Sequence, residues 1–494
     1  MEDDRKTYTV DDALSALGFG NFQVFVLIYA GMGWVSEAME MMLLSFVGPA
    51  VQSLWDLSSQ QESLITSIVF AGMLVGAYSW GVVSDLYGRR KGFLITAIIT
   101  SGAGFLSAFS PNLTVLIIFR GLVGIGLGGG PVLSSWFLEF IPAPQRGTWM
   151  VVFSSFWTLG TVLEASIAWF VMPRLGWRWL LALSALPSSL LLLLYRVTPE
   201  SPRYLCMMGR KSDALAVLEK IARVNGRKLP SGVLVTDSHI ELEEKSSEDT
   251  KLIPTSKNDL NPEHVGSQKS GFSLLIMLLS PELVRSTVLL WMVFFGNAFA
   301  YYGLVLLTTE LNNNHNRCEH KELQSGNHQE VNYRDVFITS FAEFPGLLLS
   351  AATVDKLGRK SSMAAMFFFC FIFLIPLVVE QPQSLTTGLL FGARVCITGT
   401  FTIVYIYAPE LYPTSVRTTG VGVASSVGRI GGMVCPLVAV GLIHGCKQSI
   451  AVFLFEIIIF VSGICVCLLP FETRGLELIN NLSSSKHNHL DVSL

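Results

Sequence analysis

Glu37 and Glu40 in GWVSEAMEMM, Arg120, Glu164, Glu343, Arg394, Arg429 and Glu456 each interrupt a stretch that is otherwise apolar for about the length of a bilayer crossing. A charge at the centre of a hydrocarbon layer costs about 3 kcal/mol or more unless it faces water, a cavity or a partner. Side chains kept at that cost are candidates for binding or moving an ion. At ~1.5 Å of rise per residue, Arg429 falls roughly 16 Å from the start of its helix, and Glu343 lies at a similar depth from the other face. Both depths are near the middle of a membrane. A guanidinium held there, flanked by Gly428, Gly431 and Gly432 that let a ligand or a helix approach closely, suits a bidentate contact with a carboxylate. The same cation can instead close an internal ion pair with Glu343 or Glu37.

Glu37, Glu164 and Glu343 can serve as proton carriers, because a partly desolvated carboxyl can load and release a proton near neutral pH. Arg120 and Arg394 are the cations they would work against. Attraction of a cationic head group, or a purely structural partnership with Arg120 or Arg394, are the other two readings of the same carboxyls. Glu40 sits one position around the helix from the Glu37 face, and Glu456 is expected to be peripheral. Asn297, Tyr301 and Tyr302 in FFGNAFAYYG share a helical face at i, i+4 and i+5. With Trp34 and Trp157 they could form a box that stacks on an aromatic ring or holds a quaternary ammonium by cation–π attraction. Packing and anchoring at the membrane interface are the commoner uses of such residues.

The elements that must position these groups are about twelve apolar helices. Spans of roughly 20 apolar residues occur near residues 22–47, 62–84, 92–109, 113–138, 148–171 and 177–195, and again near 283–309, 336–354, 362–379, 385–407, 418–443 and 450–469. The expected fold class is all-α, a polytopic membrane protein of two six-helix halves. Composition requires something of the kind: of 494 residues 51% are hydrophobic and only 14% charged, too few charges to cover a soluble protein of this size. A net charge of -3 argues against a nucleic-acid partner.

Two motifs recur in the same order in both halves. GVVSDLYGRRK at 81–91 returns as AATVDKLGRK at 351–360, with Asp355, Gly358, Arg359 and Lys360 in the places of Asp85, Gly88, Arg89 and Arg90. EFIPAPQR at 139–146 returns as ELYPTSVR at 410–417. Such duplication is expected of a transporter built from parallel repeats, with the substrate site between them. Asp85 with Arg89 and Glu139 with Arg146 are expected to form one network of helix ends, mirrored by Asp355, Arg359, Glu410 and Arg417; formed, the networks would close the inner face.

The cations Arg89, Arg90, Lys91, Arg146, Lys356, Arg359, Lys360, Arg417 and Arg474 all fall on one side, whereas the loops near 51–60, 110–112 and 381–384 carry no Lys or Arg. That asymmetry places the basic side and both termini in the cytosol. The chain then divides into a cytosolic segment 1–21, a half 22–196, a cytosolic linker 197–282, a half 283–470 and a cytosolic tail 471–494. No basic segment followed by a short apolar core opens the chain, so no cleavable signal peptide is expected. In the linker, Ser212 and Asp213 followed by Leu215, Leu218, Ile221 and Val224 and then Gly226 predict a capped amphipathic helix, and 232–271 has the composition of a mobile loop. Asn112-Leu-Thr114 is the one sequon placed outside, close to the membrane. Of the Cys residues, Cys318 and Cys446 would lie outside, and no pairing between them is expected. His315 and His320 are expected to be solvated, and no metal is expected.

An enzyme has little support, since there is no phosphate-binding loop GxxxxGK[ST], no nucleophile elbow and no metal cluster. No cofactor is expected. A membrane receptor or trafficking partner that kept the fold is the competing class.

Taken together, GVVSDLYGRRK, RGLVGIGLGGG at 120–130, PESPRYL at 199–205, ELYPTSVR and FETRGLEL at 471–478 resemble the major facilitator superfamily, in its branch of sugar porters and organic ion transporters. The sugar-binding glutamine pattern of the seventh span is replaced by FFGNAFAYYGLVLL, which lowers the sugar porter reading. GMGWVSEAMEMMLLSFVGPAVQ, SLITSIVFAGMLVGAYSWG and LGWRWLLALSALPSSLLLLLYR are similar to plant organic cation/carnitine transporters, and through them to animal synaptic vesicle 2-related proteins and bacterial niacin transporters. The resemblance implies a secondary transporter for a small organic ion, working by alternating access as a monomer, coupled to protons or another cation, in the plasma membrane, a vacuole or a vesicle. At the position of Arg429 cation transporters of this group tend to carry an acid, and anion or zwitterion transporters an arginine. The resemblance therefore names carnitine or another zwitterion, and Arg429 with the aromatic residues favours a pyridine carboxylate such as nicotinate.

Overall fold

The computed structural model describes residues 7–142, 145–235, 276–281, 283–319, 333–379, 381–412, 416–443 and 447–474. Among the described residues, twelve helical spans cross the molecule: Asn21–Trp55, Ser59–Tyr87, Arg89–Ser107, Leu113–Leu138, Arg146–Leu175 and Trp177–Val197 in the first half, then Val284–Leu311, Tyr333–Val354, Arg359–Val378, Gln383–Leu411, Arg417–Ile443 and Gln448–Leu468 in the second. We number them spans 1 to 12. Among the described residues, 11 helices are long and apolar enough to cross a membrane by themselves. Span 3 is the other, for a local reason: it opens on Arg89, Arg90 and Lys91, and Thr96, Thr100, Ser101 and Ser107 lower its apolar content further while burying their side chains in the bundle; Ile95, Ile98, Phe105 and Leu106 remain exposed on its outer face.

Helix ends follow local chemistry. Span 2 starts on a reciprocal capping box between Ser58 and Gln61. Span 4 starts on exposed Asn112, whose Oδ1 accepts the Val115 N–H at 3.0 Å. Spans 1 to 6 pack as one bundle and spans 7 to 12 as another, and the two are joined chiefly by spans 2 with 11, 5 with 8, and 1 with 7.

Outside the membrane the structure adds a folded N-terminal element and corrects the expectation for the linker helix. Part of the expected N-terminal segment is folded: helix Val10–Leu17, opened by a Thr9–Asp12 capping box, buries Val10, Ala13, Leu14 and Leu17. Before it, Thr7–Tyr8 pairs in parallel with Val233–Leu234. The linker helix runs Lys211–Asn225 with Arg210 in the cap position, so Ser212 does not cap it. It buries Ala214, Leu218, Ile221 and Ala222 and leaves Val224 exposed, a face rotated from the expected stripe. Small alanines let it sit close to the N-terminal helix, which the sequence stripe did not take into account. Gly226 ends it in the left-handed conformation at φ +65°, as the pattern predicts. Asn225 fastens it to span 1, accepting the Phe22 N–H at 3.0 Å and donating to Gln23 Oε1 at 2.8 Å.

Cys318 and Cys446 lie outside the residues whose side chains are described, as do His315 and His320. Most of the stretch 232–271 and the tail beyond 474 are likewise not described.

Candidate functional site

At mid-membrane, side chains from both halves meet in one polar network. Glu343 of span 8 accepts from Arg394 Nη2 at 2.8 Å, from the Tyr301 hydroxyl at 2.7 Å and from the Thr161 hydroxyl at 3.1 Å. Trp157 Nε1 donates to the Tyr301 hydroxyl at 2.8 Å. Trp157 and Thr161 are one helical turn apart on span 5, so the first half reads the second through two hydrogen bonds. Glu343 and Arg394 are both fully buried, which makes their attraction strong and their separation costly. Of the sequence alternatives for Glu343, the structure therefore places it in an ion pair with Arg394, bridged to Tyr301.

Arg429 does not join that pair. Its Nη1 lies 3.6 Å from Met73 Sδ, and Tyr302, Tyr405 and Glu37 face it. Among the described residues it has no carboxylate within 4.0 Å, so the internal pair with Glu343 or Glu37, the alternative reading, is not formed. The neighbouring glycines serve helix packing: a Cβ at Gly431 would lie 2.4 Å from Phe295 O on span 7, and one at Gly432 would lie 2.5 Å from the Phe70 ring on span 2. Arg429 is half-buried, in contrast to fully buried Arg120 and Arg394.

Aromatic rings surround this region. Trp34 and Trp157 are 5.5 Å apart between centroids, Tyr301 lies 5.4 Å from Phe401, and Tyr302 meets Phe70 edge-on at 4.7 Å. Trp34, Trp157 and Phe401 are half-buried and Tyr405 is exposed, so their rings are not fully covered by protein, whereas Tyr301, Tyr302 and Asn297 are buried. Asn297 Oδ1 accepts from the Thr400 hydroxyl at 2.6 Å, which turns it toward span 10.

A second buried cluster lies wholly in the first half. Arg120 Nη1 pairs with Glu40 at 2.9 Å and its other nitrogens donate to Ser107 Oγ, while Ser184 donates to Glu164 at 2.8 Å. Glu40, expected to be a lesser candidate, is thus the direct partner of Arg120, and Glu164 stands within reach of the pair's field. Helix rotation decides this: Glu37 and Glu40, three residues apart, face different neighbours. Glu456 stays buried at span 12, away from these groups.

On the basic side, the networks of helix ends are present but wired differently from the expectation. Arg89 is shared between Asp85 at 2.6 Å and Glu139 at 3.1 Å, and Arg359 between Asp355 at 3.5 Å and Glu410 at 3.2 Å. Arg146 turns instead to Asp11 of the N-terminal helix at 2.7 Å, and Asp11 also pairs with Arg203. Arg417 donates to Tyr412 O at 3.3 Å. These pairs hold helix ends together within a half and do not bridge the halves. The cross-half hydrogen bonds run the other way, from mid-membrane toward the opposite side, where Ser67 donates to Met433 O at 2.9 Å and Ser63 to Pro436 O at 3.1 Å. The side away from the basic face is the closed one.

Sequence reasoning missed Glu200 and Glu472. The Arg90 N–H donates to Glu200, and the N–H groups of Arg359, Lys360 and Ser361 donate to Glu472 at 2.6, 2.9 and 3.3 Å. Each carboxylate thus caps the N-terminus of span 3 or 9, where the helix dipole favours an anion. Gly88 and Gly358 make room, at φ +104° and +91° and with a Cβ that would strike the carboxylate. The duplication held the signal: the two contacts join residues 110 and 112 apart, matching positions of the repeat. Glu472→Ala is expected to destabilise the second half by about 1–2 kcal/mol, as loss of a charged cap does. A lowered thermal unfolding midpoint, partly restored in Glu472→Gln, would be the readout; an unchanged midpoint would show the cap to be idle.

Comparison with known proteins supplies the context for this geometry. The family described as "Sugar (and other) transporter" matches residues 26–482. The chain is 68% identical to "Organic cation/carnitine transporter 7" of Arabidopsis thaliana, over 98% of this chain and 99% of the relative. It is 37% identical to the "Synaptic vesicle 2-related protein" of Xenopus laevis, over 96% of this chain and 82% of the relative. In fold it is similar to the xylose transporter XylE of E. coli in a partially occluded inward open conformation, with a TM-score of 0.69 at 16% identity, covering 94% of this chain and 100% of the other.

Proposed function

We propose, from the premise that this chain belongs to the sugar (and other) transporter family of the major facilitator superfamily, that it is a secondary transporter of a small organic ion bearing a carboxylate. The observation that carries the substrate class is Arg429: a half-buried guanidinium at mid-membrane with no anionic partner in ion-pair range among the described residues. Burying a cation without a partner is costly, and a substrate carboxylate would lift that cost by bidentate hydrogen bonding. The faces of Trp34, Trp157 and Phe401 would take the other end, either a quaternary ammonium or an aromatic ring. The name of the Arabidopsis relative, an organic cation/carnitine transporter, favours a carnitine-like zwitterion; nicotinate is the aromatic carboxylate that would fit the same groups.

Alternating access would run through the mid-membrane network. With the far side closed by spans 2 and 11, substrate would reach Arg429 from the basic side, which we place in the cytosol. Rocking the halves to the other state must separate Trp157 and Thr161 from Tyr301 and Glu343, so those bonds set part of the balance between states. The Glu40–Arg120–Glu164 cluster and Glu37 are the groups through which a proton or other cation would be coupled. Asp85, Arg89, Glu139 and Arg146, with Asp355, Arg359, Glu410 and Arg417, would stiffen the moving helix ends on the cytosolic side. The protein would act as a monomer, without cofactor or metal.

Purified protein in proteoliposomes, given labelled carnitine and labelled nicotinate in parallel with and without a pH gradient, tests the reading. Saturable uptake of at least one carboxylated solute, increased by the gradient, is the expected result. Absence of uptake of either under every imposed gradient would remove it.

A further inference from the structure

We infer that a crevice inside the N-terminal half, beside Glu37, binds a small monovalent cation, either Na+ or hydronium. The inference rests on the transport reading above and gives the coupling ion its place. The crevice lies among spans 1, 3, 4 and 6 and has a volume of about 40 Å³, room for a small ion together with a water molecule or two. Its polar lining is Ser36, Glu37, Thr96, Thr100 and Ser188, and the rest is glycine and apolar side chain.

The hydrogen-bonding capacity of that lining leans toward accepting. Thr96 spends its hydroxyl proton on Phe93 O at 2.8 Å and Ser188 on Ala185 O at 2.9 Å, so both can only accept from an occupant. Ser36 Oγ is buried and has no partner, and the Glu37 carboxylate, also buried, rests against Gly130, where a Cβ would come within 2.5 Å of Oε2. With Glu37 ionised, an acceptor-rich space of this size repels anions and suits a hard cation held by oxygens. One carboxylate is too little charge for a divalent ion, which leaves a monovalent one.

The ionisable groups facing Glu37 from the second half are Arg429 and Tyr302. Glu40, one turn along span 1, is already neutralised by Arg120 at 2.9 Å. Arg429 therefore opposes the cation until a substrate carboxylate covers its charge. Substrate and cation then strengthen each other's binding by the same factor, which is symport expressed as a coupling between two sites.

The test uses the purified full-length protein in detergent, with NaCl exchanged for N-methylglucamine chloride at constant ionic strength in one arm and acidification without Na+ in the other. A saturable rise of the unfolding midpoint is expected in one arm, identifying the ion. It should vanish in Glu37→Gln, and half-saturation should shift about tenfold in Ser36→Ala and Thr100→Val, as loss of one hydrogen-bonding group predicts. No saturable response in either arm, or the same response in all three variants, would overturn the site. Carboxylate uptake that persists in liposomes while the site fails would leave the transport reading standing, and cation binding without any uptake would leave only the site.

Discussion

Arg429→Ala is expected to abolish uptake of the carboxylated substrate while the protein still reaches the membrane in normal amount. Removing one partner of a desolvated charge pair costs about 2–5 kcal/mol, roughly a thirtyfold to several-thousandfold loss of affinity. The folded state should tolerate the change, because Arg429 closes no ion pair among the described residues and alanine strands no carboxylate in contact with it. Arg429→Lys keeps the charge and loses the planar fork, so it should fall between the two. Uptake with normal affinity in Arg429→Ala would show that the substrate carboxylate binds elsewhere, and Arg394 is then the remaining cation of the second half near the cavity.

The second large effect is on stability. Arg394→Ala leaves Glu343 buried without its counter-ion, and breaking a buried pair by removing one partner costs about 3–5 kcal/mol. A pronounced fall in the thermal unfolding midpoint of the purified protein is the expected result. The double variant Glu343→Gln with Arg394→Met should be less affected than Arg394→Ala alone, because no uncompensated charge remains and the hydroxyls of Tyr301 and Thr161 can still meet an amide oxygen. Equal loss in the single and double variants would mean that packing, not charge, dominates there. Because Trp157 and Thr161 reach this network from the first half, the double variant should also shift the balance between the two transport states, seen as altered cysteine labelling from either side.

Residues that belong to a repeat or to an apolar run could be named from the linear chain. The twelve spans, the paired motifs around Arg89 and Arg359, and the unusual placement of Arg429 all follow from counting apolar residues and matching one half to the other. Partners across helices could not be named in that way. Glu37 and Glu40 look alike in sequence, yet one faces Arg429 and the other closes on Arg120, because i and i+3 on a helix remain offset by about 60° around the axis and about 4.5 Å along it, enough to meet different neighbours. Arg146, expected to meet Glu139, instead reaches Asp11, since Val10–Leu17 folds back as a helix on the basic face.

The amino-acid order by itself determined the solvent this protein lives in, the number of crossings and the two-fold repetition, because these depend on hydrophobic run length and local periodicity. Only the tertiary structure decided which charges neutralise one another and that Arg429 has no carboxylate within ion-pair range among the described residues. That choice is made by helix rotation and by the packing of one half on the other, and each contact joins residues tens to hundreds of positions apart, where no local pattern reaches.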